Sequence, residues 1–342
     1  MTTVRKIAEI AGVSKSTVSL VLNNKAGVSE ETRQAVLKVV EELSANAMTD
    51  ITADMVDPKR TLSIMVLHPP VLRSSYVFSQ VLHGIQTAAE TFNIQIRMVI
   101  NEPHASDQHV AHLYLSNANL RPDGVLVFGA QQHEPLVDRV VELGIPCVVL
   151  GRNATQYNIS GIGRDEFLHG YNLTKHLIDL GHQEIAFVGG EACYDYTLNR
   201  MKGYRQAMND HQLTVNDVWI QLGDGVTATE ALFAQAPEVT ALIFVNDTYA
   251  AEGLTVMREQ GRTIPHDLSV ASFDDTDIAQ NNAPPLTSIA YNRFNEGQWA
   301  VKMVLDQIRY PFLERSHVIF GAELIGREST TIPRPLVEEL AP

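Results

Sequence analysis

The spacing of apolar and polar positions divides the chain into two unlike stretches. Over residues 4–45, apolar residues recur at helical spacing in three short blocks. Val4–Ala11 sets Ile7, Ala8, Ile10 and Ala11 on one side of a first helix. Gly12-Val13 follows as a tight corner, because glycine tolerates the positive φ that such a corner needs. Ser14 caps a second helix with Val18, Val21 and Leu22 at core spacing. After a loop at 23–27, Ser29 caps a third helix through Leu43, with Val36, Leu37, Val40 and Leu43 expected to face inward. Residues 46–60 turn polar and end in Asp57-Pro58-Lys59-Arg60, which reads as a linker.

From Leu62 the period changes. Short apolar runs at Leu62–Leu67, Ile94–Ile100, Gly124–Phe128, Pro146–Leu150, Glu184–Val188, Ala241–Val245 and Ser269–Ser272 predict strands. Between them lie amphipathic stretches near 76–92, 106–119, 134–143, 166–180, 197–211, 227–235, 249–260 and 296–309. Apolar strands separated by helices predict parallel sheets covered on both faces. The units are too many for one comfortable sheet, so two similar α/β lobes are expected.

Composition narrows the classes. Hydrophobic residues at 45% and charged residues at 19% are ordinary for a soluble globular chain. No run approaches the roughly 18 apolar residues that span a bilayer, and no secretory h-region follows Met1, so a cytoplasmic protein is expected. Two cysteines, Cys147 and Cys193, suggest buried thiols rather than a disulfide, and no metal-ligand spacing is present; no cofactor is expected. A net charge of −14 argues against a general nucleic-acid binder. Its distribution matters more: residues 1–28 carry Arg5, Lys6, Lys15 and Lys25 against Glu9 alone, so any contact with DNA belongs at that end.

The most specific signal is the string from Ile7 to Asn23, with Ala-Gly-Val-Ser at 11–14 and Thr-Val-Ser at 17–19. A recognition helix presents short polar and basic side chains where base edges and phosphates lie. Lys15, Ser16, Thr17 and Ser19 meet that need, while Val18, Val21 and Leu22 fix the helix to its scaffold. Any helical hairpin can hold glycine at its corner, but the whole string at the extreme N-terminus makes that simpler explanation much weaker.

With this string, the chain resembles the lactose-repressor/galactose-repressor family of transcription factors. The likeness continues through Leu180–Gly190, Asn199–Tyr204, Val245-Asn246-Asp247, Val270–Asp275, Pro285–Ser288 and Gly326–Thr330, in the family's order. The resemblance implies a fold class of an all-α helix-turn-helix head followed by α/β: two doubly wound parallel-sheet lobes of periplasmic-binding-protein type. The expected division is a head at 1–45, a hinge at 46–60, an effector and dimerisation domain at 61–335, and a tail at 336–342. Within the body, the first lobe takes about 61–160 and 289–318, the second about 161–288 and 319–335.

The implied function is a sequence-specific repressor, not an enzyme, whose affinity for operator DNA is set by a small molecule held between the lobes. Family prevalence favours a sugar or sugar phosphate. The resemblance places Lys15, Ser16, Thr17, Ser19, Leu20 and Asn23 at DNA, and Arg200, Asn246 and Asp274 at the effector. Arg152, Asp165, Ser75 and Phe78 are lesser effector candidates. For Asp247 and Asp275, turn or cap chemistry is the favoured reading. Open α/β sheets bind ligands beyond their C-terminal strand ends, where Gly129, Asn246, Asp247, Asp274 and Asp275 all fall. A homodimer on a palindromic operator is expected, because one head reads only a few base pairs. Its interface is expected around 71–90 and 113–119 with parts of the second lobe.

Three positions depart from the family. Leu20 stands where the family usually has arginine, which exchanges a guanine contact for packing on a thymine methyl. The linker lacks the family's hinge pattern and carries Asp50, Asp54 and Asp57; Met55 or Val56 is then the residue available to wedge into the minor groove. Gly223-Asp224-Gly225 replaces an aromatic common in sugar binders. Two rivals are weaker. The histidines at 68, 104, 109, 112 and 133 form no metal or catalytic spacing, against an enzyme, and the helix-turn-helix argues against a periplasmic carrier.

Overall fold

The computed structural model describes residues 3–22, 27–47, 61–68, 75–100, 114–128, 135–151 and 159–333. Its first three helices, α1 (Thr3–Ala11), α2 (Lys15–Leu22) and α3 (Glu30–Ala47), form the head. Gly12 has φ +67° and Val13 N–H donates to Ala8 O at 3.0 Å, the left-handed closure that ends a helix and starts a corner. Ile7, Ala8, Val18, Val21, Val36 and Val39 build its small core. Two expectations fail here. Ile10 is 53% and Leu37 42% exposed, because Val36 and Val39, three apart on α3, already fill the facing side. The third helix also runs on to Ala47, into the expected linker, whose remainder lies outside the described residues. Phe312, from the body, packs against this core.

The body contains two six-stranded sheets. The first joins β1 (Leu62–His68), β2 (Ile94–Ile100), β3 (Gly124–Phe128), β4 (Cys147–Leu150), β5 (Ser160–Arg164) and β11 (His317–Phe320), in the order β11-β5-β4-β3-β1-β2 and all parallel. The second joins β6 (Ile185–Val188), β7 (Ile220–Gln221), β8 (Ala241–Phe244), β9 (Ser269–Asp274), β10 (Thr287–Tyr291) and β12 (Ala322–Ile325), in the order β12-β10-β9-β8-β6-β7. Only the β10–β12 pair is antiparallel among these. Both sheets thus reverse direction of winding beside their first strand, which opens a crevice at the strand ends.

Alternation along β1 explains the two-sided burial. Ile64 and Val66 face helices α4 (Ser75–Thr91) and α11 (Arg293–Arg309), while Met65 and Leu67 face α5 (Pro135–Glu142). The second lobe, with α6 (Glu166–Asp179), α7 (Asp195–Asp210), α8 (Gly225–Gln235), α9 (Asp247–Glu259) and α10 (Asp277–Asn281), closes around Phe187, Tyr204, Phe244, Tyr249 and Phe273. Each lobe holds one helix pair packed backbone to backbone through glycines. A Cβ on Gly84 or Gly297 would overlap the facing backbone of α11 or α4, and one on Gly170 or Gly203 that of α7 or α6.

Strands β5, β7, β10, β11 and β12 were not legible as apolar runs, and the last of them, β12, ends at Ile325, just before the Gly326–Thr330 stretch that carries the family likeness. Ser160-Gly161-Ile162-Gly163-Arg164 is buried through Gly163 with a single large apolar side chain, so pairing on both edges, not hydrophobicity, makes it a strand. The helix expected over 106–119 lies mostly outside the described residues. Among the described residues, no helix is long and apolar enough to cross a membrane.

Candidate functional site: the head surface and the interlobe hinge

On the head, Ser14 is the cap expected of it. Its Oγ accepts from Thr17 N–H at 3.1 Å and lies 2.7 Å from Ser16 Oγ and 2.8 Å from Thr17 Oγ1. The start of α2 therefore gathers three hydroxyls at one helix end, where backbone N–H groups and the helix dipole favour a phosphate. Lys15, Ser16 and Ser19 are exposed, and Thr17 and Leu20 are half-buried. Asn23 and the wedge candidates Met55 and Val56 lie outside the described residues.

The chain passes between the sheets three times: after β5, after β10, and from β11 to β12. Charged side chains converge on the first two crossings. Glu166, two residues past β5, accepts from Arg200 Nε at 2.7 Å and from the Tyr291 hydroxyl at 3.1 Å on the same oxygen, Oε2. Arg200 also donates to Val245 O at 2.6 Å and to Tyr291 Oη at 3.2 Å, and its guanidinium lies 4.3 Å from the Phe273 ring centre. Arg164 grips Glu296 through two nitrogens. Arg293 Nη2 donates to Asp274 Oδ1 at 2.6 Å, and the same oxygen is 3.8 Å from Arg200. The result is a buried set of three arginines and three carboxylates around Tyr291, bridging both lobes.

The electrostatics follow from that pairing. Burial alone would raise the Glu166 pKa, but the adjacent Arg200 and Arg164 outweigh it and hold it at about 2. His169, whose ring sits 5.4 Å from that of Tyr291, is pushed down by burial, and its Nδ1 has no hydrogen-bond partner. Asp247 is pushed up to about 7 by burial and by the charge of Asp274. It nonetheless accepts from Ser272, Ser288 and both the amide and hydroxyl of Thr276, tying the starts of α9 and α10 to β9 and β10.

The expected effector residues are thus only partly assembled. Arg200 and Asp274 come together, but Arg200 is 2% exposed and spends its donors on protein. Asn246 caps α9, accepting from Tyr249 N–H at 3.2 Å, and Asp165 caps α6, accepting from Leu168 N–H at 2.9 Å. Phe78 joins His68 and Phe128 in an aromatic cluster at the strand ends of the first lobe, with ring centres 5.1 and 5.2 Å apart. Ser75 begins α4, while Arg152 and Gly129 lie outside the described residues. Asp275, just past the end of β9 in the second lobe, is 2.6 Å from Arg327.

Sequence reasoning missed Arg164, Glu166, Tyr291, Arg293 and Glu296. Their signal was polar and charged residues from the last position of a strand to five residues beyond it, at Arg164-Asp165-Glu166 and Tyr291–Glu296. Beside this set lies a cavity of about 570 Å³ between the start of α4, the Asp274-Asp275 corner and the two later crossings. Tyr76, Gln80, Asp274, Tyr291, Arg293 and Glu323 are among the residues that line it.

A helix-turn-helix head carrying a two-lobed body with a polar interlobe crevice defines a ligand-responsive DNA-binding regulator. Comparison with known proteins agrees domain by domain. Residues 3–44 match the model of bacterial regulatory proteins of the lacI family, and residues 174–330 match the periplasmic binding protein-like domain. The HTH-type transcriptional repressor PurR of Haemophilus influenzae is 29% identical over 96% of this chain and 98% of its own length. The ribose operon repressor of the same organism is 28% identical over 96% and 98%. Among solved structures, the transcriptional regulator CelR in complex with cellobiose superposes with a TM-score of 0.72 at 26% identity, covering 96% of this chain and 100% of that one. The lac repressor dimer bound to operator and an anti-inducer shares the fold, with a TM-score of 0.67 at 22% identity over 95% and 98%. The chain thus joins a lacI-type DNA-binding domain to a periplasmic binding protein-like domain, and its relatives over nearly their whole length are transcriptional repressors.

Proposed function

We propose that this protein is a cytoplasmic, nucleoid-associated transcriptional repressor that binds a palindromic operator as a homodimer and changes its operator affinity when a sugar-like small molecule occupies the interlobe crevice. The observation that carries this reading is the joining, in one chain, of a lacI-type head to a two-lobed body whose hinge and crevice are lined by hydrogen-bonding side chains. The head supplies Lys15, Ser16, Thr17, Ser19 and Leu20 toward DNA, with Asn23 completing the set; Leu20 packs on a thymine methyl where an arginine would have read guanine. Met55 or Val56 provides the minor-groove wedge. Asp274, which lines the crevice, is the strongest of the effector candidates, and Arg200, Asn246, Ser75, Phe78, Asp165 and Arg152 are the others. The ribose operon repressor among the relatives, and solved regulators bound to cellobiose and to ribose, support a carbohydrate effector, either free or phosphorylated.

Retention of random genomic fragments by the full-length protein, with and without a panel of sugars, tests the reading and gives the sign of the response. A fragment retained reproducibly, with retention altered by one sugar, is the expected result. Failure to retain any fragment under either condition refutes it.

A further inference from the structure

Two neighbouring residues in the cavity wall hold a backbone that side chains rarely adopt. Asp274, the last residue of β9, has φ +101°, and Asp275 has φ +48°. Both line the cavity. Neither is glycine, so the corner persists only where its surroundings enforce it. The enforcing group is Asp247, the first residue of α9 and 1% exposed. Its Oδ1 accepts from Ser272 Oγ and, at 3.1 Å, from Ser288 Oγ. Its Oδ2 accepts from Thr276 N–H at 2.7 Å and from Thr276 Oγ1 at 2.9 Å. Ser288 Oγ in turn accepts from Asp275 N–H at 3.1 Å. One carboxylate therefore anchors the chain just before and just after Asp274, and through Ser288 it also anchors the Asp275 amide.

Cap chemistry does not account for this arrangement. A capping side chain turns its oxygens onto the first turn of its own helix. Asn246 already does that for α9, accepting from Tyr249 N–H, whereas the donors to Asp247 come from β9, β10 and the turn before α10.

We propose that Asp247 is a positioning residue for the effector cavity, which holds Ser272, Thr276 and Ser288 so that the left-handed corner carries the Asp274 carboxylate to the cavity wall. The inference rests on the effector-regulated reading above, because it takes Asp274 as a residue that meets the effector. Asp247 acts through the backbone of the second lobe, while Arg293, on the second crossing, steadies the Asp274 carboxylate itself.

Two measurements on the full-length protein test it, across Asp247→Ala, Asp247→Asn and the milder truncation Ser288→Ala. The first is amide exchange without sugar. In Asp247→Ala the Asp275 and Thr276 amides are expected to exchange about ten-fold faster, and in Ser288→Ala the Asp275 amide, while β6 and β8 keep their wild-type rates. Asparagine restores slow exchange, because its oxygen still accepts from Thr276 N–H and the serine hydroxyls turn to accept from its amide. The second is calorimetric titration with ribose, glucose and cellobiose. The sugar that wild type binds is expected to bind about ten-fold more weakly to Asp247→Ala and to recover in Asp247→Asn, the pattern of a lost positioning contact. Unchanged exchange at the corner in both truncations overturns the proposal. Exchange that quickens equally throughout the second lobe overturns it too, since that marks a general loss of stability. A loosened corner with undiminished sugar affinity also overturns it, as does Asp247→Asn behaving like Asp247→Ala. If wild type binds none of the three sugars, the carbohydrate reading fails, and the exchange rates alone decide whether Asp247 holds the corner.

Discussion

Replacing Glu166 by glutamine isolates what the hinge charges contribute. The amide keeps the size of the side chain and one acceptor for Arg200, but leaves Arg200 and Arg164 facing each other across a buried space with one fewer negative charge. Two estimates converge. Glu166 is held at about 2 against an ordinary 4.5, and at about 1.4 kcal/mol per unit that difference is worth about 3 kcal/mol at neutral pH. Removing one member of a buried ion pair costs about 3–5 kcal/mol. Loss of roughly 3 kcal/mol is expected, read as a lower urea midpoint at pH 7 by the fluorescence of Trp219, which is buried in the second lobe with its Nε1 on Glu238. The sign of the pH dependence follows from a depressed carboxylate. The stability is fully present above 4.5 and disappears as pH falls toward 2, so the gap between wild type and Glu166→Gln shrinks to about half by pH 3. An unchanged midpoint at pH 7, or a gap equally wide at pH 3, refutes the account of this hinge.

Three further outcomes are expected. Asp247, pushed up from 3.8 to about 7, holds a proton in the folded state that the unfolded chain has released, so its contribution makes stability fall as pH rises through that window; Asp247→Asn removes this slope from the urea midpoints, and an unaltered slope counts against it. Gly203→Ala forces α6 and α7 apart, because the new Cβ lands on Phe167 O and 2.6 Å from Tyr171 N; a loss of about 1–3 kcal/mol in equilibrium unfolding is expected, and a neutral result would show the crossing to be looser than described. Phe312→Ala removes the body's apolar contact with the head core, so amide exchange in α1–α3 should accelerate while exchange in the β6–β9 sheet stays constant; equal exchange in the head argues that this contact carries no energy.

The parts legible in the sequence were those with a single local cause. Helix-turn-helix spacing, Gly12 at a positive φ and the Ser14 cap each follow from a few neighbouring residues, and six of the seven apolar runs mark strands buried on both faces, the edge strand β2 being the exception. The crossing strands were hidden because their burial is supplied by neighbours: β5 is mostly serine and glycine, and β11 is an edge strand whose His317 and Ile319 are exposed. The site was hidden for a related reason. Arg200 stands in the family's Arg-x-x-Gly-aromatic segment, and that segment has structural work of its own. Gly203 lets α6 approach, and Tyr204 donates to Ile185 O at 2.7 Å. What the pattern could not reveal is that Glu166, 34 residues earlier, captures the arginine.

That capture changes what a matched position means. Buried ion pairs add little net stability over apolar packing of the same shape, so six charged groups at the hinge are poorly explained as glue. Their directionality is the better reason. A guanidinium on a carboxylate holds one geometry, and a methyl packed on a methyl holds many. Arg164–Glu296 lies on the first-lobe side of the hinge and Arg200–Glu166 on the second-lobe side, while Arg293–Asp274 joins the two, so a change in lobe angle acts on that pair first and can exchange it for another among the same groups. Such an exchange favours discrete arrangements, which is what a switch between operator-binding states requires. The second crossing also opens α11, whose 17 residues span about 25 Å before the chain reaches Phe312 at the head core. The arginine that lines the cavity and the phenylalanine that touches the head are thus joined by one rigid helix. The Arg293–Asp274 pair beside the cavity is also a tie between the two lobes.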